Sequence, residues 1–399
     1  MHDSKACVKS LEVELVVRGL YEWMCVDFPR LNSRIAELTF GSTPDQAGAL
    51  HVLSDLQSGA IRFCEPLLAT SEPLTLQVHT WVGMIFSALQ RHAALGYPLN
   101  QEVTGLVERL LVDRSAQLGV ASRFIVVPYL FQQTDTHGRV ATFTVQQQER
   151  LFMQFNCAGI EAYRECAEEL KHALSIGWSD SHVITRHLEC AISALGKVRA
   201  TFVRVKDEIE PHIFFRELVP FYAPVQVGGV LHQPADARDQ AEVFLIDLIL
   251  GLATERYCEE LIVPNLPYLV PTDQERVRAG LACRTNLSSS LFKYLDLAPD
   301  AAGISAASVR AAIDQRGVYA ACNALNKVYG EFARLSRHHL GIVTTYMDDQ
   351  VEQLQGTSVY GQFRGLMDKS LAYLSRLIAM REDVISHKLL GEALAIDDL

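Results

Sequence analysis

The sequence predicts an all-α protein. Helical periodicity runs through most of its length, strand-like alternation is almost absent, and turn-forming residues gather at a few points. A chain of 399 residues exceeds what one hydrophobic core usually organises, so two domains or one large helical domain are expected. The division read here is a smaller N-terminal helical domain, residues 1–118, followed by a larger helical domain, residues 119–399. Apolar residues make up 49% of the chain, with 24 Gly and 14 Pro, a globular composition rather than a disordered or fibrous one.

Taken in order, the stretches Gly41–Asp45 (GSTPD) and Gly96–Asn100 (GYPLN) and then Gly138 punctuate the first third. Phe124-Ile125-Val126-Val127, closed by Pro128, reads as a strand or as an inter-domain crossing held extended by the proline. Helices are expected over Val145–Leu174, Ser181–Glu208, Ala241–Glu260 and Thr272–Leu281, the last with Thr272 and Glu275 as a capping box. The Pro/Gly-rich stretch between Pro220 and Asp239 reads as irregular.

Composition excludes several function classes. A formal charge of −11 and the lack of a basic stripe argue against nucleic acid as a partner. The most apolar stretch, Val243–Ala253, is too short to span a bilayer and carries Asp247. The start lacks the basic-then-apolar order of a signal peptide. The nine scattered cysteines form no CxxC, which removes the usual zinc and redox motifs and fits a reducing compartment. The expectation is a cytoplasmic monomer or homodimer acting on a small molecule.

The strongest local signal lies in Ala321–Met347. Leu325, Val328, Tyr329, Phe332, Leu335, Ile342, Val343 and Tyr346 form a helical stripe with one vacancy, at His339. His339 is therefore expected to point inward and His338 to sit nearer the edge. An inward imidazole among aliphatic neighbours has two readings: a core histidine satisfied by a carbonyl, or the axial ligand of a haem in an apolar slot. Periodicity leaves both open.

At this helix the chain resembles the haem superfamily of indoleamine and tryptophan dioxygenases. His339-Leu340-Gly341-Ile342-Val343-Thr344-Thr345-Tyr346 is similar to that family's His-Leu-x-Ile-Val-Thr-x-Tyr, whose histidine is the proximal haem ligand. Upstream, PHIFFRELVPFYAPVQVGG (Pro211–Gly229) resembles the paired-phenylalanine segment of the substrate pocket. That block and Pro267–Pro271 (PYLVP) are closer still to the branch that rearranges 7-chlorotryptophan in pyrrolnitrin biosynthesis. Gly356–Tyr360 (GTSVY) stands where the family has a loop closing over the substrate, with Tyr360 matching the pyrrolnitrin branch. The likeness covers about residues 120–380.

The resemblance implies an indoleamine dioxygenase-like helical haem domain, haem b with His339 as iron ligand, O2 as co-substrate, and an indole-type substrate in specialised metabolism. It implies that Phe214 and Phe215 contact the aromatic substrate, with Thr357, Ser358 and Tyr360 in the covering loop. Val219 replaces the family's carboxylate-binding arginine, a role that valine cannot fill; Arg216 and Arg238 are the nearest substitutes. Ser336 stands where the family has an arginine near a haem propionate, which leaves Arg337 or Arg334 to compensate. Val343 is expected against the cofactor, and Cys157 and Ala158 fall near the family's small residues above the iron. The competing readings are a non-catalytic haem- or O2-sensing protein and a helical scaffold that has lost its haem.

Overall fold

Four long helices open the chain: α1 (His2–Phe40), α2 (Gln46–Ala69), α3 (Leu76–Ala94) and α4 (Gln101–Leu118). The computed structural model describes residues 2–134, 137–236, 239–298, 304–353 and 360–395. Two of the stretches that punctuate the sequence end on residues that cap helices. Asp45 accepts from Gly48 N at 2.9 Å and Asn100 from Glu102 N at 2.9 Å, each satisfying an otherwise orphaned donor and contributing about 1 kcal/mol. These helices enclose a first core built on residues such as Met24, Phe28, Leu56, Phe86 and Leu110, which also takes in Phe143, Phe221 and Val227.

The extended reading of Phe124–Val127 is corrected. Ile125 is extended (φ −99°, ψ 129°), but a short helix α5 (Val126–Leu130) begins directly after it. Pro128 falls within the first turn of that helix, where its missing N–H breaks no hydrogen bond. Next come α6 (Gln147–Ile176) and α7 (Ser181–Glu208), an antiparallel pair turning at Gly177–Asp180. Asp180 caps α7 through Val183 N at 3.2 Å.

A single turn, α8 (Pro211–Ile213), leads into a π-helical turn over Phe214–Leu218 and a 3-10 turn over Val219–Tyr222. Proline explains the change of pitch. Pro220 has no N–H to offer Arg216, so the ladder widens before it and tightens after it. The stretch read as irregular instead contains a small antiparallel hairpin, β1 (Val225–Val227) and β2 (Val230–His232), with Val227 opposite Val230. Its two-residue turn is Gly228-Gly229 at φ 58° and 78°, the two positive values that a tight hairpin turn needs.

The helix expected over 241–260 is also corrected, because α9 (Ala241–Leu250) stops at Gly251, φ 82°. The chain restarts as α10 (Glu255–Tyr257), then repeats the π-to-3-10 change across Val263-Pro264. Helix α11 (Pro271–Ala282) starts on Pro271 with Val270 as its cap and no side-chain cap bond. The Thr272/Glu275 capping box is therefore not formed: proline at the first helical position moves the start upstream.

The remaining helices are α12 (Leu287–Tyr294), α13 (Ala306–Arg316), α14 (Tyr319–Gln353), α15 (Tyr360–Glu382) and α16 (Ile385–Leu394). A second core joins α6, α7, α9, α12, α13, α14 and α16 through residues such as Leu170, Leu188, Ile246, Leu291 and Val328. The architecture is all-α, and no described helix is long and apolar enough to cross a membrane. No disulfide joins the described cysteines.

Two histidines buried in the first helical group make stability pH-dependent. Burial lowers His79 to about 4, against weaker upward pulls from the Ala121 and Arg123 backbone, and its Nε2 lies 3.0 Å from Ala121 O. His92 is held well below its ordinary value by burial and by Arg91. Above pH 6.5 both states are neutral and nothing is gained. Below it the unfolded chain takes up protons that the folded one refuses, so stability falls as the pH is lowered. For His79 alone the loss reaches about 3 kcal/mol near pH 4. Urea midpoints measured from pH 7 to 4.5 should fall, and His79→Gln should flatten the slope; an unchanged slope would refute the assignment.

Candidate active site

α6, α7 and α14 flank a cavity of about 300 Å³, closed by the Phe214–Tyr222 turns, by Val243 and Phe244 of α9 and by α15. Its walls are mainly apolar: Phe152, Phe155, Ile160, Val198, Phe202, Phe214, Phe332, Leu335, Ile342, Leu374 and Leu377 all line it. The size and character are those of a small-molecule site. Each wall helix presents its apolar stripe, so helical phase alone decides which side chains enter.

His339 faces this cavity from α14. Its ring stacks on Phe202, centroids 5.4 Å apart and planes at 18°, and it makes no hydrogen bond among the described residues. Burial lowers its pKa, with the Asp236 carboxylate pulling up and His338 pulling further down. The lowered pKa favours the neutral imidazole, and no described residue hydrogen-bonds to either ring nitrogen. His338 is turned away from the cavity, its ring edge-on to Phe202 at 5.9 Å.

The structure brings Phe214, Val219, Val343 and His339 to the one cavity. Phe214 packs against Phe152 at 4.9 Å. Phe215 is buried one step away, with Val219, Val351 and Met367, and does not line the cavity. Arg216 lies over Phe40 at 5.6 Å and lines a separate surface groove with Glu37 and Glu217. Arg337 pairs with Glu382 and Arg334 with Glu331, both outside the cavity and exposed. Cys157 donates its thiol to Leu130 O at 3.3 Å, and Ala158 is exposed. On that stretch of α6 it is Asn156, Gly159 and Ile160 that face inward. Thr357, Ser358 and Arg238 lie outside the described residues, as does the side chain of Tyr360.

The residue that sequence reasoning missed is Arg381. It is the cation among the described residues lining the cavity, only 5% exposed. Its Nε and Nη2 donate to the Asp247 carboxylate at 2.7 and 2.6 Å, and Nη1 donates to Ser336 Oγ at 2.6 Å. The guanidinium also lies over the Phe332 ring at 4.3 Å. Burial opposes its charge, but the Asp247 carboxylate outweighs that and holds its pKa above the usual range. The Tyr257 hydroxyl donates to Asp247 at 2.6 Å, completing a buried network. Ser336 is one turn before His339 on α14, and Arg381 and His339 line the same cavity. One available signal was Asp247 itself, an acid inside the most apolar run of the chain, which called for a buried cation.

Among comparisons with known proteins, the family model described as monodechloroaminopyrrolnitrin synthase PrnB matches residues 17–307. No curated protein matches the chain.

Proposed function

The chain belongs to the monodechloroaminopyrrolnitrin synthase PrnB family, and from that premise we propose that it is a haem-dependent oxygenase acting on an indole or tryptophan-derived substrate in specialised metabolism. The observation that carries this reading is His339, an imidazole with no hydrogen-bond partner among the described residues that faces a mainly apolar cavity. A structural histidine in that setting would be expected to hold a carbonyl or a carboxylate, whereas a neutral imidazole with a free lone pair is what an iron ligand must offer.

The residues present fit a haem. His339 would hold the iron, and Val343, one turn on and on the same wall, would pack against the macrocycle. Arg381 keeps N–H groups beyond those given to Asp247 and Ser336 and would pair with a carboxylate of the cofactor. When bound, haem supplies the activation of O2. The chain's own part is to bind and orient the second substrate and exclude water. Phe214 and Phe152 offer a tilted aromatic pair to an indole face or edge. Every described cavity residue lies after residue 118, so this reading assigns the chemistry to residues 119–399 and support to residues 1–118. The monomer or homodimer expectation and the cytoplasmic setting stand as part of the proposal.

Val219 leaves no arginine at the position where the family clamps the substrate carboxylate, and Asp247 already holds the Nε–Nη2 edge of Arg381. The reading therefore favours a substrate without a free carboxylate at that end. The test is to reduce the haem-loaded protein and titrate it with indole, indole-3-ethylamine and L-tryptophan while following the Soret band and O2 uptake. Indoles without a carboxylate should perturb the spectrum at least as well as tryptophan, and O2 uptake should depend on the indole. A Soret band with no response to any indole would leave a haem protein and refute the oxygenase.

A further inference from the structure

A second cluster of ligating side chains lies at the other end of the α6–α7 pair. Glu169 and His172 stand one turn apart on α6, and His187 faces them from α7; one ligand atom from each lies within 4.8 Å of the others. His187 Nδ1 and Glu169 Oε2 are 2.7 Å apart, and the two imidazole centroids are 5.5 Å apart. A His–Glu hydrogen bond explains two of these groups. It does not explain His172, whose ring makes no hydrogen bond among the described residues yet is held against His187.

We propose that Glu169, His172 and His187 form a site for a divalent transition ion, Zn²⁺ foremost. Two imidazoles and a single carboxylate are a poor set for Mg²⁺ or Ca²⁺, which take oxygen ligands, and a good one for Zn²⁺, Ni²⁺ or Cu²⁺. Glu169 and His187 are half-buried and His172 is exposed, so the ion has a path in and water completes its coordination. On binding, the ion takes the lone pair of one nitrogen from each neutral ring; where that nitrogen is His187 Nδ1, the ring's single N–H passes to Nε2 and Glu169 is freed to ligate.

The location assigns a role. The cluster brackets the Gly177–Asp180 turn, about two to three helical turns along α6 and α7 from Tyr163 and Val198, the cavity residues nearest to it in sequence. The two helices form one cavity wall, and the only covalent link between them is that turn. An ion ligated from both helices pins their register and stabilises the folded state by mass action. This inference is independent of what occupies the cavity.

The full-length protein, purified as it is and freed of loosely held metal with a chelator, is titrated with ZnCl2 by calorimetry and its zinc absorption edge recorded. The expected result is one saturable Zn²⁺ per chain with nitrogen and oxygen ligands, and a raised thermal midpoint. His172→Gln and His187→Gln should each weaken binding by at least about tenfold. Cys190→Ser, one turn beyond His187 and exposed, should leave it unchanged. His172 is exposed, so its variant tests the site even where the His187 variant fails to fold. Absence of saturable binding, sulfur among the ligands, or unchanged affinity in the His172 variant would overturn the proposal.

Discussion

Replacing His339 with alanine is expected to abolish the Soret absorbance of the haem-supplemented protein, or to shift it to the position of weakly held haem. The retained haem should fall by at least about tenfold, as expected on removing the proposed iron ligand. The substitution leaves the cavity walls in place, because the ring contacts Phe202 by stacking and anchors no hydrogen bond among the described residues. A folded but haem-free protein is therefore the expected product, recognisable by an unchanged far-ultraviolet circular dichroism spectrum. His338→Ala is the companion test. Its ring lies edge-on to Phe202 away from the cavity, so it should retain both haem and spectrum. An unaltered Soret band in the His339 variant would remove the ligand assignment, and equal losses in both would show that the helix phase does not select the ligand.

The second large effect is expected at Asp247. Asp247→Ala strips the buried Arg381 of the carboxylate that holds its Nε and Nη2 and leaves the Tyr257 hydroxyl without its acceptor. An uncompensated buried charge costs about 3–5 kcal/mol, measurable as a lowered denaturant midpoint. Combining it with Arg381→Met should recover a good part of that loss, since an apolar side chain of similar length suits a site framed by Phe332 and Leu377 better than an unpaired guanidinium does. The single Arg381→Met change tests its second role. It should weaken haem retention while keeping the His339 spectrum, and unchanged haem affinity would show that Arg381 serves only the fold. A double variant no more stable than Asp247→Ala alone would mean that Arg381 and Asp247 are not energetically coupled.

The contrast between these two residues shows where sequence reading stops. His339 was legible because it interrupts a stripe within one helix, and helical period is a local property that needs no knowledge of neighbours. The breaks at Gly41–Asp45 and Gly96–Asn100 and the start of α7 near Ser181 were legible for the same reason, whereas the caps themselves were not read. Arg381 was not. It carries no motif, and its partners Asp247 and Ser336 stand 134 and 45 residues away. Only the packing of α15 against α9 and α14 joins these three distant positions into one network. Arg216, Arg334 and Arg337 looked equally suitable as cations near the site, but their chain directions lead them to Phe40, Glu331 and Glu382 instead. The corrected elements follow the same logic. Gly251 ends α9 although the apolar pattern continues, and Pro271 starts α11 ahead of an apparent capping box.

By itself the sequence determined that the chain is all-α, that turn-forming residues divide its first third, and that one imidazole on α14 turns toward the apolar side. Each of those follows from periodicity and turn chemistry over a few residues. The tertiary structure alone decided that this apolar side is a cavity rather than a filled core, and which of several arginines reaches it. It also decided that His172 and His187 meet across a hairpin. These outcomes depend on contacts between residues far apart in the chain, whose energies arise only once the helices are packed and water has been removed between them.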